Sequence, residues 1–291
     1  MGEKAYQLRQ LLRDNDIVVA PGAYDAVSAK VVEKAGFKAI FIGGFSLSAS
    51  LLGQPDVGML TMTELTIQAQ NIVNAVGVPV LADGEDGYGG VVNVQRTVCA
   101  TEKAGLAGIF IEDQEHPVKC GAISAYKKVG PMEEMIIKIR AALDARTDPN
   151  FIIGARTDAD IISLDEQIRR CNAYSEAGAD LVMPLASSLE EYHALVNGIS
   201  AQLWMSLAPH IPVTVADLRS IGYKGIIIFP VEALFVAVKA VTDLMTELQE
   251  KGTTTQTWER LAPPGYGDFF RLMGLRKLIT YEEELRGLGE K

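Results

Sequence analysis

The sequence predicts an α/β protein of the (β/α)8 barrel class with a helical extension at its C-terminus. Three observations carry that prediction. A short phrase recurs along the chain, eight apolar runs are spaced for eight strands, and chemically active polar residues gather just after several different runs. The phrase is a helix-ending glycine followed by an apolar strand, and it stands at Lys34-Ala35-Gly36-Phe37, Lys103-Ala104-Gly105-Leu106, Glu176-Ala177-Gly178-Ala179 and Ser220-Ile221-Gly222-Tyr223. Glycine just past a helix accepts the left-handed conformation that ends it, and uninterrupted aliphatic runs suit a parallel sheet buried on both faces. Four copies indicate repeated βα units.

Taken in order, Asp16 opens Ile-Val-Val-Ala-Pro-Gly, a strand ending in a turn, and Tyr24 to Lys34 follows with helical spacing of Val27, Val31 and Val32. Ala35-Gly36 ends that helix. Continuing in this way places strands near 16–20, 38–43, 78–83, 108–113, 151–155, 180–184, 202–207 and 225–229, each with a helix after it. A doubly wound open sheet is the competing arrangement. No G-x-G-x-x-G follows the first strand, however, and the polar residues are not confined to one switch point, so the barrel is preferred. Beyond Gly252, a threonine turn precedes helices over Trp258 to Leu261 and Phe269 to Leu285, separated by Pro263-Pro264-Gly265. Residues 1–291 are expected to form a single barrel domain, with 252–291 as an extension that packs either on another subunit or back on its own chain.

Composition narrows the function. The 291 residues are 48% hydrophobic and 22% charged, the balance of a globular protein with an ample core. With 27 Lys plus Arg against 37 Asp plus Glu, a net charge of −10 and no basic cluster, nucleic acid and anionic membranes are excluded as partners. The N-terminus lacks a signal pattern, and the most apolar run, Ile226 to Val238, is interrupted by Pro230 and Glu232. A cytoplasmic setting is expected, which the three dispersed cysteines, Cys99, Cys120 and Cys171, fit as free thiols.

Catalytic groups of a parallel barrel sit at the C-terminal ends of its strands. Those ends carry Gly43-Gly44-Phe45 and then Asp56 after the second strand, Asp83, Glu85 and Asp86 after the third, Glu112 and Asp113 after the fourth, and Arg156 and Asp158 after the fifth. Clustered carboxylates repel unless a cation, a proton or water compensates them. Oxygen-only donors suit Mg²⁺, with Mn²⁺ as a substitute, and Mg²⁺ keeps several waters, so one or two direct carboxylates suffice. A guanidinium facing such a cation matches a planar anion, which points to a carboxylate-bearing small-molecule substrate. Arg156 is alternatively a structural partner of Asp158 or Asp160, and Asp56 a turn residue after Pro55. Between Glu112 and Pro131 the loop far exceeds the usual βα length of about two to six residues. It carries Lys119-Cys120-Gly121, where a cationic neighbour would favour the Cys120 thiolate, or where the cysteine is inert. No spacing among His116, His193 and His210 suggests a metal set.

Several phrases together resemble the isocitrate lyase and phosphoenolpyruvate mutase superfamily, in particular its short lyase branch. They are Ala20-Pro21-Gly22-Ala23-Tyr24-Asp25-Ala26, Ser48 to Asp56, the Asp83-Gly84-Glu85-Asp86-Gly87-Tyr88-Gly89 loop, Asn93-Val94-Gln95-Arg96, Ile111-Glu112-Asp113-Gln114, Lys119-Cys120-Gly121 and Ala155-Arg156-Thr157-Asp158-Ala159. The resemblance implies a Mg²⁺-dependent barrel, usually a homotetramer, whose eighth helix is exchanged between neighbouring subunits. It implies Asp83 as the direct metal ligand, with Glu85 and Glu112 acting through water, and Arg156 on a substrate carboxylate. Gly43, Gly44 and Phe45 line the oxo-acid pocket, and Lys119, Cys120 and Gly121 belong to a gating loop whose cysteine is the general acid. Asp86 becomes a loop or helix-entry residue. The sequence departs from the pattern at Ala122, where the lyase loop has histidine, at Glu85 in place of aspartate, at Gly43, and along the seventh strand at Leu203 to His210.

The activity implied is cleavage of a 2-hydroxy dicarboxylate, a branched malate such as 2,3-dimethylmalate or methylisocitrate, to a 2-oxo acid such as pyruvate plus a carboxylate. Phe45, Trp204 and Leu207, if they face the pocket, favour an apolar substituent. Decarboxylation or hydrolysis of oxaloacetate is the competing chemistry, and a noncatalytic ligand-binding barrel is the alternative outside enzymes.

Overall fold

The computed structural model describes residues 2–122 and 124–289. Its sheet has eight strands: β1 (Ile17–Pro21), β2 (Ile40–Ile42), β3 (Val80–Asp83), β4 (Gly108–Glu112), β5 (Ile152–Arg156), β6 (Leu181–Met183), β7 (Leu203–Ser206) and β8 (Gly225–Phe229). All pair in parallel, in the order β1-β8-β7-β6-β5-β4-β3-β2. The remaining gap, between β1 and β2, is narrowed by a parallel bridge from Gly22 to Phe41 and by the Ala23 amide, which donates to the Phe41 carbonyl at 2.8 Å. The sheet is therefore a nearly closed barrel, and each strand falls within two residues of its expected position.

Among the described residues thirteen α-helices accompany the strands: α1 (Glu3–Asp14), α2 (Ala26–Lys34), α3 (Gly44–Leu47), α4 (Met62–Ala75), α5 (Val91–Lys103), α6 (Met132–Ala145), α7 (Leu164–Glu176), α8 (Leu189–Gly198), α9 (Val215–Ser220), α10 (Glu232–Lys251), α11 (Thr255–Leu261), α12 (Tyr266–Leu272) and α13 (Leu275–Gly289). The recurring glycines do what the sequence demands of them. Gly36, Gly105, Gly178 and Gly222 have φ of 95°, 86°, 109° and 82°, a region costly for any residue with a Cβ, and each ends its helix just before a strand. Helix starts are capped by side chains: Asp25, Thr61 and Thr214 form reciprocal boxes with Ser28, Glu64 and Asp217.

Alternation along the strands sorts the core into two shells. Ile40, Ile42, Val80, Ala82, Ile109, Ile111, Ile153 and Ala155 face the helices. Phe41, Leu81, Phe110, Ile152, Trp204 and Ile226 fill the barrel interior, where α1 adds Ala5, Leu8 and Leu12. Phe41 and Phe110 stack at 6.0 Å, and Trp204 meets both edge-on at 6.1 and 5.1 Å. Trp204 is wholly buried in this interior layer, and Leu207 belongs to the helix-facing shell, so neither forms the open pocket wall expected of them. The same period of two carries one step further along each strand: Gly43, Asp83, Glu112 and Arg156 all follow an interior residue by two positions and face inward at one rim.

The chain divides into two compact units, Met1–Glu232 and Ala233–Lys291. Within the second, the Glu247 carboxylate accepts the amides of Gln256 at 3.0 Å and Thr257 at 2.7 Å, and Arg260 reaches Asp243 at 2.8 Å, so α10 and α11 are tied together. The single helix expected from Phe269 to Leu285 is two, because Gly274, with φ 80°, breaks it between α12 and α13. Among the described residues no helix is long and apolar enough to cross a membrane.

Candidate active site

The rim is built from backbone outward. Asp83 ends β3 and its Oδ1 accepts the Glu85 amide at 2.9 Å; that turn holds Glu85 at a φ of 52°. Gly44, at the start of α3, lies so close to this pair that a methyl there would overlap Glu85 Oε1 and stand 3.7 Å from Asp83 Oδ2. Its amide also bonds Asp83. Gly43 and Gly44 are buried, with Phe45 half-buried on the same turn. Across the mouth, register pairs Glu112 with Arg156. Arg156 Nη1 is 3.1 Å from Glu112 Oε2, Nη2 is 2.9 Å from Asp158 Oδ1, and its guanidinium lies 5.8 Å from the centre of the Phe110 ring. Arg156 Nε is buried without a partner among the described residues, a donor left for something else.

Electrostatics separate these acids. Burial raises Asp83, Glu85 and Glu112 above the usual carboxylate range, and for Glu112 it outweighs the attraction of Arg156. Asp56, half-buried, is pushed up to about 6 by burial and by the Asp83 charge. Asp158 is opposite in outcome: burial would raise it, but Arg156 and Lys127 together hold it below its ordinary value. Asp158 and Glu112 are thus partnered, whereas Asp56, Asp83 and Glu85 crowd together with too little positive charge. Among the described residues no three His, Cys, Asp or Glu side chains close into a cage for a metal. An all-oxygen, incompletely neutralised, buried set fits a hard divalent cation that retains water.

The long loop lies on this mouth. Gln114 clamps it: its Nε2 donates to Glu112 Oε1 at 2.9 Å and to the Lys119 carbonyl at 2.8 Å, and its Oε1 accepts the Lys119 amide at 3.0 Å. The Cys120 amide donates to the Asp56 carbonyl at 3.1 Å, and Lys119 Nζ to the Val57 carbonyl at 3.1 Å. Gly121 packs against Arg156, where an added Cβ would sit 2.7 Å from Nη2. The expected thiolate is not what the surroundings favour. Lys119 points to Val57, and burial raises the Cys120 thiol, with Asp56 and Asp83 adding to the rise. The Ala122 backbone hydrogen bond and Arg156 pull the other way, and burial wins.

Other candidates are structural. Asp86 accepts the Tyr88 amide at 2.9 Å and faces Lys138 and His116, as a loop residue. Asp113 turns away from the mouth: it accepts Thr157 Oγ1 at 2.7 Å, Arg170 Nη1 at 2.9 Å, Tyr174 Oη at 2.6 Å and the Asp158 amide at 2.9 Å. Sequence reasoning gave no role to Gln114 or Lys127. The first lay inside a quoted motif, and the second carried no signal of its own.

A parallel barrel presenting clustered carboxylates and one guanidinium beneath a fastened loop defines an enzyme for a small, oxygen-rich anion. The chain belongs to the phosphoenolpyruvate phosphomutase family, whose profile matches residues 8–249. It is 43% identical over 283 residues to the 2,3-dimethylmalate lyase of Eubacterium barkeri, covering 96% of each chain. Among solved structures, oxaloacetate acetylhydrolase with the inhibitor 3,3-difluorooxalacetate superposes with a TM-score of 0.89 at 30% identity, covering 97% of each chain. Phosphonopyruvate hydrolase with oxalate and Mg²⁺ superposes with a TM-score of 0.86 at 30% identity, over 96% of this chain and 98% of that one.

Proposed function

We propose that this chain is a carbon–carbon lyase that opens a branched 2-hydroxy dicarboxylate, 2,3-dimethylmalate or methylisocitrate in class, into a 2-oxo acid such as pyruvate and a second carboxylate. The observation that carries the reading is the loop bearing Cys120, fastened over the acid-and-arginine mouth with the Cys120 amide on the Asp56 carbonyl at 3.1 Å, where burial raises the thiol. A protonated thiol there gives a proton; it does not attack. Asp83, Glu85 and Glu112 would hold Mg²⁺, or Mn²⁺ in its place, directly from Asp83 and through water from the others. When bound, the cation supplies Lewis-acid polarisation of the substrate's hydroxyl and adjoining carboxylate.

The chain's own groups do the rest. Arg156, whose Nε is unpartnered, receives the carboxylate of the leaving fragment, where negative charge grows as the bond opens. Asp56, at about 6, is placed to accept the hydroxyl proton near neutral pH. Cys120 then protonates the carbon of the departing enolate, and the backbone at Gly43 and Gly44 leaves room for a small oxo acid close to Asp83. The 43% identical dimethylmalate lyase supports this reading. Hydrolysis of oxaloacetate is the second reading, supported by the likeness to the acetylhydrolase.

Incubation with Mg²⁺ and each of 2,3-dimethylmalate, methylisocitrate and oxaloacetate separates them: pyruvate with propionate or succinate from the first two supports the lyase, oxalate with acetate from oxaloacetate supports the hydrolase, and pyruvate with CO2 from oxaloacetate faster than the protein-free control would mark a decarboxylase. Cys120→Ser should lower lyase turnover by about 10²-fold. Turnover close to the parent rate would remove Cys120 as the acid. On this reading the enzyme is cytoplasmic and a homotetramer. The exposed Val236, Val238 and Val241 on α10 support burial of that helix, exchanged between copies, and light scattering reads the assembly directly.

A further inference from the structure

We infer that Lys127 is a positioning residue for the reaction: it fastens the return limb of the mouth loop to Asp158 and so frees Arg156 to turn to substrate. The inference builds on the lyase reading above. Lys127 follows a single 3-10 turn at Ser124–Tyr126, yet its side chain is 0% exposed. Its Nζ donates to Asp158 Oδ1 at 2.9 Å and to Asp160 Oδ1 at 2.7 Å. Asp158 Oδ1 is the same atom that accepts Arg156 Nη2 at 2.9 Å. One oxygen therefore joins the loop's cation to the cation of the site.

A buried lysine–carboxylate pair is a poor way to gain stability, since an apolar pair of the same volume generally does as well; its better-attested use is to fix one arrangement among several. Here the arrangement is defined at both ends of the limb. Gly130 is held by its amide on the Asp113 carbonyl at 2.8 Å and by Arg170 Nη1 on its own carbonyl at 2.9 Å. Three residues earlier Lys127 makes the second attachment. With Lys127 in place, Asp158 has a second cation beside Arg156, one it shares with Asp160, and the guanidinium can exchange one carboxylate for another. Without it, Asp158 claims Arg156 alone, and the limb is held only at Gly130 and by the backbone pairing of Lys128 and Val129 with the outgoing stem.

The test uses the full-length protein and reads Cys120 itself. Peptide-resolved alkylation by iodoacetamide follows the loop, with buried Cys171 reporting the integrity of the core. Lys127→Met should speed alkylation of Cys120 about 10-fold and weaken oxalate binding with Mg²⁺ about 10-fold, while Cys171 stays protected, as expected for a shift in the closed population. In turnover the same variant should raise KM more than it lowers kcat, and Lys127→Arg should recover part of the loss. Parent-like Cys120 alkylation and oxalate affinity in Lys127→Met would overturn the proposal. If Lys127→Met exposes Cys171, Asp160→Asn decides: it removes one of the two carboxylate charges that hold Lys127 and should speed Cys120 alkylation about 3-fold, whereas the parent rate would overturn the proposal. None of these binding and alkylation readouts depends on which substrate is cleaved, so failure of the lyase reading would appear separately, as no turnover by the parent.

Discussion

Replacing Gly121 by alanine puts one methyl where the loop meets the guanidinium. The added Cβ would stand 2.7 Å from Arg156 Nη2, 3.8 Å from Cζ and 3.9 Å from Asp158 Oδ1, against an ordinary contact of 3.4 Å or more. Something must yield by roughly 0.7 Å, and a displacement near 1 Å at a reacting centre costs up to about 10²-fold. Arg156 is the stiffer side, held by Glu112 and Asp158 at 3.1 and 2.9 Å, so the loop lifts and carries Cys120 with it. We expect kcat/KM to fall between about 10- and 10²-fold, or about 1.4–2.7 kcal/mol of transition-state stabilisation. Thermal stability should hold, because Gly121 is not in the left-handed region and alanine restricts the unfolded chain. A coupled assay of pyruvate release beside a thermal melt makes the comparison. A variant with kcat/KM within about twofold of the parent and an unchanged melt would show that the loop does not seat on Arg156 during turnover.

Burial raises Asp56 to about 6 and lifts Asp83, Glu85 and Glu112, so the metal-free site carries protons that a divalent cation must displace. Mg²⁺ affinity should therefore climb as pH rises through about 6, and calorimetry at pH 6 should show heats that depend on the buffer's ionisation enthalpy; buffer-independent heats would contradict it. Gly225 has a φ of 134°, and a Cβ there would overlap the Leu203 backbone across the β7–β8 ladder, so Gly225→Ala should cost about 3 kcal/mol or more by denaturant titration. Asp113→Ala leaves Arg170 and Tyr174 facing an emptied acceptor and should destabilise by about 3–5 kcal/mol, against which a loss under 1 kcal/mol would count decisively.

The barrel was legible because its signals are local. A glycine after each of four helices, and alternation within each strand, are written in short windows, and they sufficed to put Gly43, Asp83, Glu112 and Arg156 on one rim. The division of labour among the acids was harder to read. Asp113 is next to Glu112 in sequence, yet the pleat sends it to Arg170 and Tyr174 on the helix side, a partnership that spans 57 and 61 positions. The surroundings of Cys120 were hard to read for the same reason: Lys119 is its neighbour in the chain, but the side chain leaves for Val57, and burial raises the thiol. The break at Gly274 was missed because apolar spacing continues through it.

The fastening of the long loop has a consequence for how such enzymes diverge. Its two stems are stitched to each other, Gln114 bridging Val129 and the Glu115 amide donating to the Lys128 carbonyl at 2.8 Å, and both are rooted in barrel residues through Asp113 and Glu112. The segment between the stems behaves as a cassette. Insertions, deletions or a changed proton donor within it leave the strand register untouched, while Gly121 against Arg156 and Lys127 on Asp158 carry any such change to the acid rim, so one scaffold can acquire new chemistry by exchanging a single stretch of chain. The departure at Ala122 falls inside that cassette, where a lineage can experiment with little risk to the fold.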